Sequence, residues 1–171
     1  APVNCSGGSG GFDNYANFPV NHVVDYWYSL SSPDYFTPLC SGANNDGAPL
    51  NIFGFSQGKN GNAYAGFITY LKGGEIKEYI YQQLSLPLQS GKTYCLNFFV
   101  SRADRIPYSV ANIGAYFSNN IQSTGSFGYV NAIPQVINQS GFITDTTQWT
   151  QIQGCFTAIG GEQYITIGKF N

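Results

Sequence analysis

Four cysteines are the residues of this sequence best suited to covalent chemistry. They are Cys5, Cys40, Cys95 and Cys155, and no two of them form a C-x-x-C pair. With His22 as the single histidine, the chain also lacks the ligand set of a typical zinc site. An even number of cysteines in a chain poor in charge favours two disulfide bonds of an exported protein, with buried free thiols as the alternative.

The pairing of these cysteines follows only in part from the sequence. A bond between Cys5 and Cys40 would close a loop of roughly 35 residues and contribute about 3 to 4 kcal/mol. Around Cys95 and Cys155, apolar residues alternate with the cysteines, so both cysteines should point away from the core. Those two can pair only if their strands are neighbours in one sheet, or if a bulge turns one of them.

The sequence offers little for catalysis. A hydrolase needs a positioned base with a nucleophile or a second acid, yet His22 adjoins Val23 and Val24, and no G-x-S-x-G motif occurs. Most of the nine acidic residues stand in predicted loops or turns, where carboxylates usually solvate the surface or cap a turn. We therefore predict no catalytic residue and no enzymatic activity.

Aromatic residues outside the predicted strand cores are candidates for sugar binding, because aromatic faces stack on pyranose rings while amides bond to the hydroxyls. The candidates are Tyr26, Trp27, Tyr28, Tyr35, Phe127 and Tyr129. The competing interpretation is structural: Trp27 and Trp149 lie in or next to apolar runs, where tryptophan is more often part of a core. Tyrosine-rich surfaces also serve protein contacts.

A structural calcium ion is the only cofactor hypothesis that the sequence supports. Calcium takes several oxygen ligands, including carboxylates. The weak candidate donors are Asp13, Asp46 and Asp145, none of which stands in a recognisable calcium loop.

The composition narrows the classes of partner. Charged residues make up 9% of the chain, with seven Lys and Arg against nine Asp and Glu, whereas about 25% is usual. Without a basic run the chain has nothing to neutralise a phosphate backbone, so nucleic acid is not an expected partner. No apolar run approaches the roughly 20 residues of a spanning helix, so membrane insertion is not expected either.

The start of the chain suggests export. A chain that begins Ala1-Pro2-Val3 is not an untouched translation product. Removal of an N-terminal segment by a signal peptidase is the simplest explanation for this start. We therefore expect a secreted protein, located outside the cell or on its surface.

The chain is predicted to form one domain over residues 1–171. Residues 1–21 form a Gly, Ser and Asn-rich N-terminal arm, and residues 119–141 form a long surface loop. Residues 75–84 fit a helix or a strand, and the strand is preferred because Tyr79-Ile80-Tyr81 is strand-prone. Alternation and turn signals predict further strands at 51–55, 63–70, 93–102, 113–118, 149–157 and 163–169, with 93–102 in the centre. Asn60-Gly61 predicts a hairpin between the first two of these six. The expected fold class is all-β, an antiparallel β-sandwich of jelly-roll type.

Several long segments carry a resemblance to a known family. They include GNAYAGFITY, LQSGKTYCLNFFVSRAD and TDTTQWTQIQGCFTAIGGEQYITIGKF. In collinear order over about three quarters of the chain, the sequence resembles a jelly-roll domain of secreted and surface proteins from Bacteroidetes, often associated with gliding-motility or type IX secretion sorting domains. The resemblance implies a fold like that of carbohydrate-binding modules and an exported location, but no settled activity.

This sequence lacks the first and last strands that the family carries. In a jelly roll these strands lie side by side, so we expect an open slot of unpaired backbone. An incomplete chain, a strand supplied by a neighbouring copy and a miscounted strand are the three explanations. The function predicted first is a non-catalytic structural or adhesive subunit of a surface fibre, assembled with other copies of itself by strand donation or edge pairing. The alternative is a carbohydrate-binding module that takes extracellular polysaccharide.

Overall fold

The computed structural model describes residues 26–30, 33–40, 47–70, 77–124 and 128–171. Within these ranges the chain forms β-strands and a single 3-10 turn, Pro38–Cys40. In chain order the strands are β1 (Trp27–Ser29), β2 (Asp34–Phe36), β3 (Leu50–Asn51), β4 (Gly54–Phe55), β5 (Tyr64–Gly66), β6 (Tyr79–Gln83), β7 (Thr93–Val100), β8 (Ile113–Ser118), β9 (Val136–Ile137), β10 (Thr150–Thr157) and β11 (Tyr164–Lys169).

The largest sheet is antiparallel and has five strands in the order β1-β6-β11-β8-β9. Its central strand is β11, on which Ile165 and Ile167 turn to one face. On β8 that face carries Ala115 and Phe117, which stand opposite Ile167 and Ile165. These apolar positions make one buried surface across the middle of the sheet.

A long ribbon of β7 and β10 covers that surface. The two strands pair antiparallel over eight residues each, and Leu96, Phe98 and Ile152 pack into the same hydrophobic cluster as β8 and β11. Between the layers, the rings of Phe117 and Phe156 lie 4.7 Å apart. The protein is therefore an all-β sandwich of antiparallel sheets, as predicted, while the jelly-roll strand order stays a prediction.

The opposite face of the five-stranded sheet carries a second, smaller core. Tyr79, Val130 and Phe170 are buried there, and the Val130 backbone amide donates a 3.2 Å hydrogen bond to the Tyr79 hydroxyl oxygen. The segment 119–141 was predicted to be a surface loop, but it contributes Val130 to this core and Val136, on β9, to the main one. The prediction that the whole segment lies on the surface is therefore wrong. Its few apolar residues follow no period, so no local pattern indicates that they are buried.

Two predicted strand arrangements are also corrected. β5 pairs with β2, and β4 pairs with β3 across the two-residue connection Ile52-Phe53, so the hairpin predicted at Asn60-Gly61 does not form. Among the described strands β7 has β10 as its only partner, and the centre of the large sheet belongs to β11. By contrast, the choice of a strand around Tyr79-Ile80-Tyr81 is confirmed by β6.

The slot expected where the family's first and last strands would lie stays a prediction, but β11, the last described strand of this chain, has no open side. β11 is hydrogen-bonded along both sides, to β6 and to β8. After it, the Phe170 backbone amide donates to the Asn112 carbonyl, and the Phe170 side chain is fully buried. The N-terminal arm, 1–21, lies outside the described residues.

Cys95 and Cys155 form a disulfide, 60 residues apart in sequence. They stand directly opposite each other on the neighbouring strands β7 and β10, with a Cα–Cα distance of 4.0 Å, and both are exposed. Their strands are therefore neighbours in one sheet, which is the first of the two arrangements expected to allow two outward-facing cysteines to pair. Cys40 is buried and also disulfide-bonded; Cys5, its predicted partner, lies outside the described residues. Disulfides are compatible with an extracellular protein.

Candidate ligand-binding cavity

A cavity of about 310 Å³ opens at one end of the sandwich. The β2–β5 ribbon and the β3–β4 hairpin line it together with the end of β7 and the segment that follows β7, residues 101–110. Ile113 and Ile143 of the main core form its floor. The volume is at the lower end of the range typical of small-molecule sites, about 300 to 1,000 Å³.

Four rings line the cavity as a continuous series, here called the inner aromatic group: Phe53, Phe36, Tyr64 and Trp149. Successive ring centroids lie 6.0, 5.3 and 5.9 Å apart, with edge-to-face or tilted geometry. Gly66 makes room for this packing, because a Cβ there would lie 2.5 Å from the Phe36 ring. The Trp149 indole nitrogen donates a 2.9 Å hydrogen bond to the Gln57 carbonyl, which fixes the orientation of the ring.

The β3–β4 hairpin owes its position to Asn51. The Asn51 side-chain oxygen accepts a 2.9 Å hydrogen bond from the Phe53 backbone amide, the local turn that asparagine favours. Its side-chain nitrogen donates to the Tyr64 hydroxyl oxygen at 2.7 Å. One buried asparagine thus ties the hairpin to β5 and leaves the Tyr64 hydroxyl hydrogen available to another acceptor.

Asp104 brings a carboxylate to the same place. Its Oδ1 accepts a 3.2 Å hydrogen bond from the Phe55 backbone amide, and Gly54 (φ +127°) lies so close that a Cβ there would be 1.3 Å from Oδ1. Among the described residues, Oδ2 has no hydrogen-bond donor. Burial raises the pKa of the Tyr64 hydroxyl; the Asn51 hydrogen bond lowers it, and the nearby Asp104 carboxylate raises it further. The Tyr64 hydroxyl therefore stays protonated at neutral pH.

A second set of rings, here called the outer pair, consists of Tyr70 and Tyr108. The centroids are 5.0 Å apart, with an interplanar angle of 63°. Both line the cavity, yet they are 57% and 50% exposed. They therefore present ring surface to solvent at the rim, unlike Phe36 of the inner group, which is 3% exposed.

The charged groups of the described lining are two carboxylates, Asp34 and Asp104, and one guanidinium, Arg102. The Arg102 Nε donates a 3.1 Å hydrogen bond to the Thr144 carbonyl, and Nη1 donates to the Ile106 carbonyl. The guanidinium is thus used to hold the segment after β7. Because the cation is engaged and the carboxylates are in excess, the described lining disfavours an anionic ligand.

Of the aromatic residues predicted from the sequence, none that the structure describes lines this cavity. Trp27 packs against the main core, in agreement with the structural interpretation. Tyr26 is 75% exposed, and Tyr28 stacks on Tyr81 at 5.4 Å. Tyr129 lies under the Lys77 ammonium group at 4.6 Å. Tyr35 is half-buried on β2, and Phe127 lies outside the described residues.

The calcium candidates do not come together in the described part of the chain. Asp145 is exposed, and its Oδ1 accepts hydrogen bonds from the Thr147 amide, the Thr147 hydroxyl and the Gln148 amide, at 2.8, 3.0 and 2.8 Å. These bonds lower the Asp145 pKa, and Asp145 thus stabilises a local turn. Asp13 and Asp46 lie outside the described residues, and no cluster of three or more His, Cys, Asp or Glu side chains suited to a metal occurs among the others.

The sequence contains signals for the cavity residues that were not predicted as site residues. Phe53, Tyr64 and Tyr70 lie within predicted strands and Trp149 opens one, while Phe36 and Tyr108 lie outside the predicted strands. Each taken alone fits a core position. Long-range packing, including the pairing of β5 with β2, brings them to one cavity, and such packing leaves no local sequence signature.

No protein-family model, curated protein or solved structure matches the chain. The resemblance to the Bacteroidetes jelly-roll domain therefore stays a prediction. In the described residues there is no helix with the length and apolar character needed to cross a bilayer.

Proposed function

We propose that this protein is a non-catalytic, secreted carbohydrate-binding module and that the cavity is its sugar-binding site. The observation that carries the proposal is the combination of ring surfaces with hydrogen-bonding groups that Asn51 and the hairpin hold in place. Sugars offer C–H faces to aromatic rings and hydroxyls to polar groups, and each ring contact is worth about 0.5 to 1.5 kcal/mol.

The polar groups of the cavity suit hydroxyl ligands. Asp104 Oδ2 can accept a hydrogen bond from a sugar hydroxyl, and the Tyr64 hydroxyl can donate one to a sugar oxygen. A charged acceptor makes a stronger hydrogen bond than a neutral one. Together these two groups would fix the orientation of a ring that the aromatic faces hold.

A thermal-shift screen against a panel of neutral glycans tests the proposal. A ligand selective for the folded state stabilises it by about 2.7 kcal/mol at 100 times its Kd, which in a chain of this size raises Tm by about 5 to 10 °C. Trp149→Ala should abolish the shift, and Trp149→Phe, which keeps a ring, should retain much of it. Tyr26→Ala, an exposed aromatic outside the cavity, is the matched control. No shift with any glycan contradicts the proposal, and release of reducing ends during incubation contradicts its non-catalytic part.

Fibre formation stays a prediction with less support. The five-stranded sheet ends in β1 and β9, which have three and two residues and offer little backbone for pairing with another chain. Among the described strands the longer β7 and β10 pair only with each other and offer more. Light scattering over a range of concentrations tests it: growth in mass that is lost when residues 1–19 are removed would favour assembly by the N-terminal arm.

A further inference from the structure

We propose that the cavity is a two-subsite groove that binds an uncharged oligosaccharide, with the outer pair as a second ring-binding subsite. This inference rests on the proposed function and adds a substrate class: two or more linked neutral sugar rings rather than a single sugar. The inner aromatic group would hold one ring, and Tyr70 with Tyr108 would hold the next.

The two aromatic surfaces belong to one wall. Tyr64 and Tyr70 are six residues apart on the same segment, so their Cα atoms are separated by at most about 22 Å. In the described residues the ring contacts of the lining fall into two separate groups, one around Tyr64 and one around Tyr70. A ligand that touches both groups must therefore extend along the wall.

The stretch of wall between the two groups is fixed rather than loose. The Ile68 backbone amide donates a 2.6 Å hydrogen bond to Glu78 Oε2, and the Glu78 amide donates a 2.9 Å hydrogen bond to the Ile68 carbonyl. Glu78 itself is only 2% exposed. This reciprocal bond sets the spacing of Tyr64 and Tyr70 before any ligand arrives, so little ordering is needed on binding.

The charges of the lining select against acidic ligands. Within the described residues, Asp104 Oδ2 has no donor and can meet a hydroxyl, while Arg102 donates to backbone carbonyls. A uronic acid or a sulfated sugar would place a second anion next to Asp104, and the described lining has no uncommitted cation to compensate it. The preferred oligosaccharide is therefore neutral.

Calorimetric titration with the mono-, di- and trisaccharides of one neutral sugar from the screen tests the second subsite. We expect the disaccharide to bind about 2- to 12-fold more tightly than the monosaccharide, the equivalent of one added ring contact. Tyr108→Ala should remove that gain, lowering affinity for the disaccharide more than for the monosaccharide, whereas Tyr108→Phe should keep it. Tyr108 is half exposed, so neither change threatens the fold.

The outcomes separate the two proposals. Equal affinity for mono- and disaccharide, or an equal loss for both in Tyr108→Ala, overturns the two-subsite groove and leaves sugar binding standing. No binding of any saccharide in the panel overturns the proposed function, and the subsite with it.

Discussion

The side-chain amide of Asn51 donates a 2.7 Å hydrogen bond to the hydroxyl oxygen of Tyr64, and Asn51 is only 6% exposed. The same asparagine receives the Phe53 amide. The cavity wall and the hairpin are therefore held by one side chain whose polar atoms are satisfied within the protein.

Replacing Asn51 should weaken the fold as well as the site. Asn51→Ala leaves the Phe53 amide and the Tyr64 hydroxyl without their partner, a loss of about 1 to 3 kcal/mol. Chemical denaturation measures the change in the free energy of unfolding. Asn120→Ala, an exposed position whose recorded hydrogen bonds use only the backbone carbonyl, should stay within about 0.5 kcal/mol of the parent. Equal effects for the two variants would contradict the role given to Asn51.

Gly54→Ala should be more damaging than Gly61→Ala. Both glycines have positive φ, +127° and +78°, so both substitutions strain the backbone, but only at Gly54 would a Cβ meet the Asp104 carboxylate. We expect Gly54→Ala to lower Tm further, and the Gly54→Ala/Asp104→Ala double variant to recover part of the difference. Additive losses in this double-mutant cycle would show that the contact does not matter.

The charge on Asp104 should govern ligand choice. Asp104→Asn keeps the size of the side chain and an oxygen for the Phe55 amide, but it replaces a charged hydrogen-bond acceptor with a neutral one. We expect affinity for a neutral oligosaccharide to fall about fivefold, roughly 1 kcal/mol, while binding of the matching acidic sugar improves. If the ratio of the two affinities stays unchanged, Asp104 does not face the ligand.

Asp145 should contribute to the acid sensitivity of the fold. Its pKa is lowered in the folded state by hydrogen bonds from Gln148 and Thr147, so its contribution is present above the pKa of the unfolded chain and is lost as pH falls through the folded value. Tm measured from pH 6 to pH 2 should fall less steeply in Asp145→Ala than in the parent protein. Parallel curves would rule the contribution out.

The disulfide between Cys95 and Cys155 should contribute stability without deciding the fold. On the chain-entropy estimate, closing a loop of about 60 residues is worth about 4 kcal/mol, while the β7–β10 pairing that brings the cysteines together persists without the bond. Cys95→Ala/Cys155→Ala should therefore fold and show a lower denaturation midpoint. Differential alkylation under mild reductant should label these exposed cysteines before the buried Cys40; labelling of Cys40 first would contradict the exposure difference.

The sequence predicts the strands better than their partners. β8 was located residue for residue at Ile113–Ser118, because alternating apolar positions carry a local signal. Pairing depends on residues far apart in the chain, so neither the β2–β5 ribbon nor the place of β11 could be deduced. The Asn60-Gly61 signal failed because β5, which follows it, pairs with β2, while the segment before it folds back on itself as the β3–β4 hairpin.

The cavity was harder to predict for the same reason. Phe36, Tyr64, Tyr108 and Trp149 come from four distant segments, and each fits a core position on its own. Exposed aromatic character, which selected Tyr26 and Tyr28, indicates solvent contact but not a concave site. Concavity arises from the backbone of several segments at once.

The central place of β11 also sets the order in which this protein can assemble. β6 and β8 are made well before residues 164–169, yet they meet only through that strand. A nascent chain therefore carries two unmatched halves of a sheet until its late segment emerges, and such distant pairing is slow. Until that segment emerges, we expect the polypeptide to remain incompletely folded and accessible to proteases.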